Sequence, residues 1–245
     1  MRAMILAAGL GTRLRPLTET TPKAMVKVAG RPLIAYALDA VREAGIREVV
    51  VNLHYLGDIL RDYLGDGSAF GVSIAYSSED PIQDSGGGIR DARALLGEET
   101  FITLNADTIV SFDLAPALEF HRRNKATATL LLRTDPGQAK FGLIRIDRTG
   151  RIGAFLQHQR PGAGEALEPY MYTGVQILEP RVFDYMETDG PFSITRHTYP
   201  LMLASGEPLF GWPSQGRWIT VGTPDELRHA EELLVSFSND ASRHQ

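Results

Sequence analysis

Residues 3–6, Ala-Met-Ile-Leu, form an apolar run that stops at a glycine-rich turn, and no other feature of the chain restricts its fold as tightly. A short apolar run closed by glycine reads as a buried strand. Gly9 and Gly11 in the turn let backbone N–H groups approach an anion with no Cβ in the way. Arg13 offers a planar fork for phosphate oxygens, and Lys23, one loop later, offers a mobile point charge. Together these residues describe a cradle for a polyphosphate at a strand exit. Neither common phosphate loop is present. The Walker Gly-Lys-Ser/Thr is missing, and Leu14 stands where the dinucleotide fingerprint needs its third glycine. By themselves the glycines also suit any tight strand-to-helix turn.

Beyond this opening, strand-like and helix-like segments alternate. The spacing predicts a helix over 32–44 stopped by Gly45, a strand over 48–53, a helix over 56–64 and a strand over 72–76. A helix over 89–96, entered through Gly86, Gly87 and Gly88, leads to a strand over 101–104, a helix over 114–124 and a β-rich run over 126–132. Such alternation implies an α/β fold with a Rossmann-like, doubly wound, mostly parallel (mixed) sheet. Ligands of that architecture bind beyond the carboxyl ends of the strands, where the glycine loop, Gly86–Gly88 and Asp107 can converge. The second half is less regular. Segments 141–146 and 151–156 flank Arg148-Thr149-Gly150 as a hairpin, 159–169 reads as a mobile loop, 170–178 as a strand and 224–237 as a helix started by Thr223 and Pro224. The expected organisation is one domain over 1–235. Its halves are about 1–134 and, facing a substrate, about 135–235, and a frayed polar tail covers 236–245.

Composition narrows the chemistry. With 245 residues, 43% of them hydrophobic, the chain can bury a sizeable core. Its formal charge of −5 argues against nucleic acid or an anionic membrane as partner, so any phosphate site must be a local positive patch. The absence of cysteine excludes disulfides and thiolate catalysis. No apolar stretch reaches membrane-spanning length and no signal-peptide pattern opens the chain, so the expected location is cytoplasmic. The six histidines lack metal-ligand spacing.

Asp107 ends an apolar strand, where a carboxylate either faces a hard cation such as magnesium or caps a turn. Gly86–Gly88 either make a flexible turn or let a planar base lie against the backbone before a helix N-terminus. Gln83 can read a base edge through its amide or simply face solvent.

Residues 6–18, Leu-Ala-Ala-Gly-Leu-Gly-Thr-Arg-Leu-Arg-Pro-Leu-Thr, followed by Pro22-Lys23, resemble the signature of the sugar-1-phosphate nucleotidylyltransferases. The resemblance runs from Ala3 to about Leu234. It covers the compact form of the family seen in N-acetylmuramate-1-phosphate uridylyltransferases, while residues 65–71 also suit mannose-1-phosphate guanylyltransferases. It implies that an NTP and a sugar 1-phosphate give an NDP-sugar and pyrophosphate by direct in-line attack, with Mg2+ as cofactor and no enzyme nucleophile. It implies nucleotide binding at Leu6, Ala8, Gly9, Gly11, Thr12, Gln83, Gly86, Gly87 and Gly88, and catalysis at Arg13, Lys23 and Asp107. Phe141-Gly142, Gln159-Arg160 and Thr173-Gly174 resemble the family's sugar-phosphate side, although Gln159 lacks the usual carboxylate. At Trp218-Ile-Thr220-Val-Gly-Thr223, Thr220 replaces the family's second metal-binding aspartate. That departure leaves one alternative open, a nucleotide-binding regulatory relative with impaired catalysis, and the weak sugar-side matches leave another, a transferase for a non-sugar phosphorylated acceptor.

Overall fold

The computed structural model describes residues 1–134, 143–164 and 166–243, with side chains to Val235 apart from Leu143. The chain opens with β1 (Ala3–Leu6), the glycine loop, and the small antiparallel hairpin β2 (Lys27–Val28) and β3 (Arg31–Pro32). Then come α1 (Leu33–Glu43), β4 (Glu48–Leu53), α2 (Gly57–Leu64), β5 (Ser73–Ser78), α3 (Asp84–Asp91), α4 (Arg93–Leu96) and β6 (Phe101–Asn105). The four strands β5-β4-β1-β6 lie side by side and parallel. Period-2 alternation explains why β1 is apolar throughout. Ala3 and Ile5 face one core with Val49, Val51 and Leu104, and Met4 faces the opposite core with Val50, Ile89 and Phe101. Burying each such large side chain contributes roughly 1.5–3 kcal/mol. These elements match the sequence expectation within a few residues, with one correction. The glycines 86–88 do not precede their helix; α3 begins at Asp84 and contains them.

The second half changes the sheet's direction. It comprises β7 (Thr108–Val110), α5 (Leu114–Arg123), β8 (Ala128–Arg133), β9 (Leu143–Ile146), β10 (Ile152–Phe155), β11 (His158–Gln159), β12 (Glu168–Leu178), α6 (Tyr199–Ala204), β13 (Leu209–Pro213), β14 (Trp218–Thr220) and α7 (Pro224–Arg243). The long strand β12 joins the halves. It runs antiparallel to β6, β8 and β9, and its register shifts between Tyr172 and Gln176. Gly174 sits in that shift at φ +86, where a Cβ would stand 2.7 Å from Asn105 Nδ2 at the end of β6. The irregularity therefore turns Thr173 and Gly174 toward the strand exits, a common use of a bulge beside a site.

Strands β9 and β10 form the expected antiparallel hairpin. The expected mobile loop over 159–169 is shortened at both ends, by β11 and by β12. Helix α7 continues to Arg243, past the expected end at 237, so the backbone of 236–243 is helical where a frayed tail was expected.

A third core seats the glycine loop. Leu14 packs with Val26, Val28 and Leu33 against Ile109, Ile219, Val221, Ala230 and Leu234. The loop is thus clamped between the first hairpin, the β7–β14 pair and α7. No helix among the described residues is long and apolar enough to cross a membrane.

Candidate active site

The exits of β1, β4, β5 and β6 open onto a cleft with three adjoining compartments. The first, about 540 Å³, is lined by Ala8, Gly9 and Lys23 on one side and by Asn52, Glu79 and Asp84 on the other. The second, about 340 Å³, lies against β12 and includes Tyr172, Thr173, Gly174, Thr195, Trp218 and Thr220. The third, about 290 Å³, is lined by Leu10, Gly11, Thr12, Arg13, Lys23 and Gly222. Leu6, Ser85, Asn105 and Asp107 are shared by the first and second, Lys23 by the first and third, and Arg13 by the second and third. The three spaces therefore meet at Arg13, Lys23 and Asp107.

At that junction Lys23 Nζ donates to Asp107 Oδ2 at 2.5 Å, with the two side chains 13% and 28% exposed. A half-buried pair is screened less than a surface pair, and removing either partner strands the other charge. Asp107 Oδ1 accepts only a long 3.3 Å bond from Thr108 Oγ1 among the described residues, which leaves lone pairs for another cation. The β7–β14 pair brings Thr220 opposite Thr108, and the Val221 N–H donates to the Asp107 carbonyl at 2.9 Å. Thr220, which stands where the resemblance implies a second metal-binding aspartate, thus adjoins Asp107. Asp225 does not substitute for it. It is exposed and pairs with Arg228 at 2.5 Å.

The glycine loop is shaped by two neighbours. Gly11 has φ +65, and a Cβ there would lie 2.9 Å from Thr18 Cγ2 and 3.1 Å from Lys23 Cβ. Thr18 Oγ1 donates to the Gly11 carbonyl at 2.7 Å, which ties the loop to the next 3-10 turn, Leu17–Glu19. Both the positive φ and the close approach require glycine here.

A buried polar network braces the first compartment. Asn52, at the exit of β4, accepts from the Ala7 N–H at 2.6 Å and donates to Glu79 Oε1 at 2.6 Å. Glu79 Oε2 accepts from the Gln83 N–H at 2.8 Å. The network fixes three strand exits relative to one another, and every bond in it is short. Sequence reasoning missed Asn52 and Glu79. The signal for Asn52 was present, because it is a polar residue near the end of the apolar strand β4, whereas β5, which Glu79 follows, mixes polar and apolar residues. Thr195 was missed as well, and it carried no such signal, since it lies in an irregular π-type turn (Ile194–Thr198).

Several expected residues sit elsewhere. Gly86, Gly87 and Gly88 are buried inside α3 and line none of the three compartments. Side chains occupy the space their missing Cβ atoms leave. A Cβ at Gly86 would stand 2.2 Å from the Phe192 ring, one at Gly87 would stand 2.8 Å from Gln83 Cβ, and one at Gly88 would stand 2.5 Å from Glu79 Oε1. The Phe192 carbonyl also accepts from the Gly86 N–H at 2.8 Å. It is Asp84 and Ser85, at the head of α3, that face the cleft. The Gln83 amide is engaged at both ends, donating to the Pro81 carbonyl at 2.7 Å and accepting from Arg90 at 3.0 Å.

Of the residues expected to hold the sugar phosphate, Arg160 lines none of the three compartments. It donates to the Ile152 carbonyl at 3.2 Å and faces Asp147 at 3.6 Å. Gln159 is exposed in the β10–β11 pair opposite Ala154. Gly142 lies outside the described residues. Tyr172 and Tyr199 both donate to Gln176 Oε1, and burial pushes both phenols far above their usual range. Tyr172 is therefore a fixed neutral wall of the second compartment and not a base.

The profile of the family described as Nucleotidyl transferase matches residues 2–236. The chain is 34% identical to the UTP–glucose-1-phosphate uridylyltransferase of Synechocystis sp. over 239 residues, covering 92% of this chain and 61% of that protein. It is 35% identical to the N-acetylmuramate alpha-1-phosphate uridylyltransferase of Neisseria meningitidis over 244 residues, covering 97% of this chain and 100% of that one. Its fold is similar to the crystal structure of HddC from Yersinia pseudotuberculosis complexed with GMP-PN, with a TM-score of 0.76 and 20% identity over 95% of this chain and 99% of that one.

Proposed function

This chain belongs to the nucleotidyl transferase family, and we propose that it joins a nucleoside triphosphate to a sugar 1-phosphate, giving an NDP-sugar and pyrophosphate. The observation that carries this reading is the Lys23–Asp107 pair at the meeting point of three compartments. One compartment suits a base and ribose, one an acceptor sugar, and the one edged by Gly11 and Arg13 a departing pyrophosphate.

The sugar-phosphate oxygen attacks the α-phosphorus in line. The P–O bond to the β-phosphate breaks, and its electron pair leaves on pyrophosphate. No covalent enzyme intermediate is needed, so catalysis consists of positioning and charge neutralisation. Lys23 neutralises charge at the α-phosphate, and Arg13 holds the departing pyrophosphate. The donor set suits one magnesium ion in the regime of a single carboxylate plus substrate phosphates, with Asp107 as the protein ligand. That ion would screen the phosphate charges. Among the described residues no group of three or more His, Asp or Glu could hold a metal alone, so the nucleotide must supply much of the coordination.

The uridylyltransferase names of two similar proteins make UTP the first nucleotide to try, and the guanylyltransferase name of a Mycobacterium tuberculosis relative puts GTP beside it. Pyrophosphate release measured across the four NTPs and a set of sugar 1-phosphates tests the reading. Release that requires both substrates supports it, and release from none of the combinations rejects it. Thr220 beside Asp107 supports one competing reading, a relative that binds nucleotide without turnover. Nucleotide binding with no release, restored by Thr220→Asp, would favour that alternative.

A further inference from the structure

Arg13 lies exposed on the 3-10 turn Thr12–Leu14, and its guanidinium forms no hydrogen bond or ion pair with the described residues. What places it is a gap. A Cβ built on Gly222 would stand 2.7 Å from Arg13 Nη2 and 3.3 Å from its Cζ. Gly222 is buried and its φ is not positive, so the backbone itself would accept an L side chain. The space, not the conformation, calls for glycine.

The gap is tied to the junction. Gly222 follows Val221, whose N–H is bonded to the Asp107 carbonyl, and the Gly222 N–H donates to Glu226 Oε2 at 2.8 Å at the head of α7. The notch is therefore anchored on one side to the Asp107 backbone and on the other to the head of α7. Both Arg13 and Gly222 line the third compartment.

We propose that Gly222 is a positioning residue: its missing side chain forms the notch in which the Arg13 guanidinium rests, facing an incoming or departing pyrophosphate group. This rests on the reading of Arg13 given above. The atoms nearest the absent Cβ are the ends of two flexible side chains, Arg13 Nη2 and, at 3.2 Å, Glu226 Oε2. Gly222→Ala should consequently move Arg13 and leave the fold intact.

The test is a double-mutant cycle on the full chain: wild type, Gly222→Ala, Arg13→Ala and the double variant. Each is titrated calorimetrically with inorganic pyrophosphate in the presence of magnesium, and each is melted without ligand. Arg13→Ala should raise Kd by about tenfold and Gly222→Ala by at least about threefold, while the double variant binds no more weakly than Arg13→Ala alone. Melting temperatures should agree within about 2 °C. An unchanged Kd for Gly222→Ala, an added loss in the double variant, or a melting temperature lowered by more than about 5 °C overturns the inference. Impaired Arg13→Ala beside intact Gly222→Ala removes the notch alone. A wild type that ignores pyrophosphate, or an Arg13→Ala variant that matches it, removes Arg13 from the site and the notch with it.

Discussion

The two halves of the cleft are built on different principles. The nucleotide half takes its residues from consecutive exits of four parallel strands: Leu6 from β1, Asn52 from β4, Glu79 just after β5 and Asn105 from β6. The acceptor half takes its residues from one bulged antiparallel strand, a π-type turn and a short strand near the chain's end: Tyr172 to Gly174, Thr195 and Trp218. Parallel strands all point their carboxyl ends one way, so chemistry placed there converges without further instruction. Antiparallel strands do not, and that half needs a register shift at Gly174 and long-range pairing to bring its groups in. The contrast predicts chemistry in the first half and selectivity in the second.

The strongest challenge to that division is Asp107→Asn, with Lys23→Ala beside it. Each should lower kcat/KM by about a hundredfold or more. For Asp107→Asn the magnesium concentration needed for half activity should rise as well. A magnesium titration of wild type and variant checks this, and identical metal dependence would remove Asp107 from the site.

Gly86→Ala tests the join between the halves. Its Cβ would meet the Phe192 ring at 2.2 Å, and the Phe192 segment carries Pro191 of the first compartment and Ile194 and Thr195 of the second. Overpacking at this contact should cost about 1–3 kcal/mol in urea unfolding. Gly86→Ala with wild-type stability would mean that α3 and this segment are not closely packed.

The convergence of the glycine loop, Lys23 and Asp107 on one cleft was legible in the sequence because its signals are local. Gly9, Gly11 and Arg13 fall within one loop, Lys23 follows one loop later, and Asp107 follows an obvious apolar strand. The triple glycine misled because a glycine run reads as a turn. Here it lies inside a helix, where its missing side chains admit Phe192, Gln83 and Glu79. Arg160 is engaged where the sequence left it open. A cation after a strand looks free in sequence, but Asp147 and the Ile152 carbonyl take it up in the fold. Thr195 and Gly222 gain their places only from contacts across the chain, which no local pattern encodes.

A smaller effect concerns how the antiparallel half is held. Burial alone would raise the Glu207 carboxyl. Hydrogen bonds from Arg181, Thr127 and Tyr185 outweigh it and hold the group at about 2 against an ordinary 4.5. The unfolded chain therefore binds this proton at higher pH than the folded one. The stabilisation is complete above about pH 4.5 and is lost as pH falls toward about 2. Glu207→Gln should melt a few degrees lower than wild type at pH 7, and the gap should close across that acid window. A gap that stays constant down to pH 2 would show that the native carboxyl is not depressed.

The smallest expected effect is also the sharpest on the acceptor side. Arg160→Ala should change the KM for the sugar phosphate by less than about twofold, because its guanidinium is already engaged away from the cleft. A tenfold rise would mean that the β10–β11 hairpin turns inward during turnover.

The most direct measurement of the division of labour is a crystal structure with magnesium and a non-hydrolysable NTP analogue. The account predicts the base in the compartment of Asn52 and Glu79, the β- and γ-phosphates between Gly11, Arg13 and Lys23, and the space beside Tyr172 and Thr195 left for the acceptor. A base bound against β12, or phosphates remote from Lys23, would contradict it.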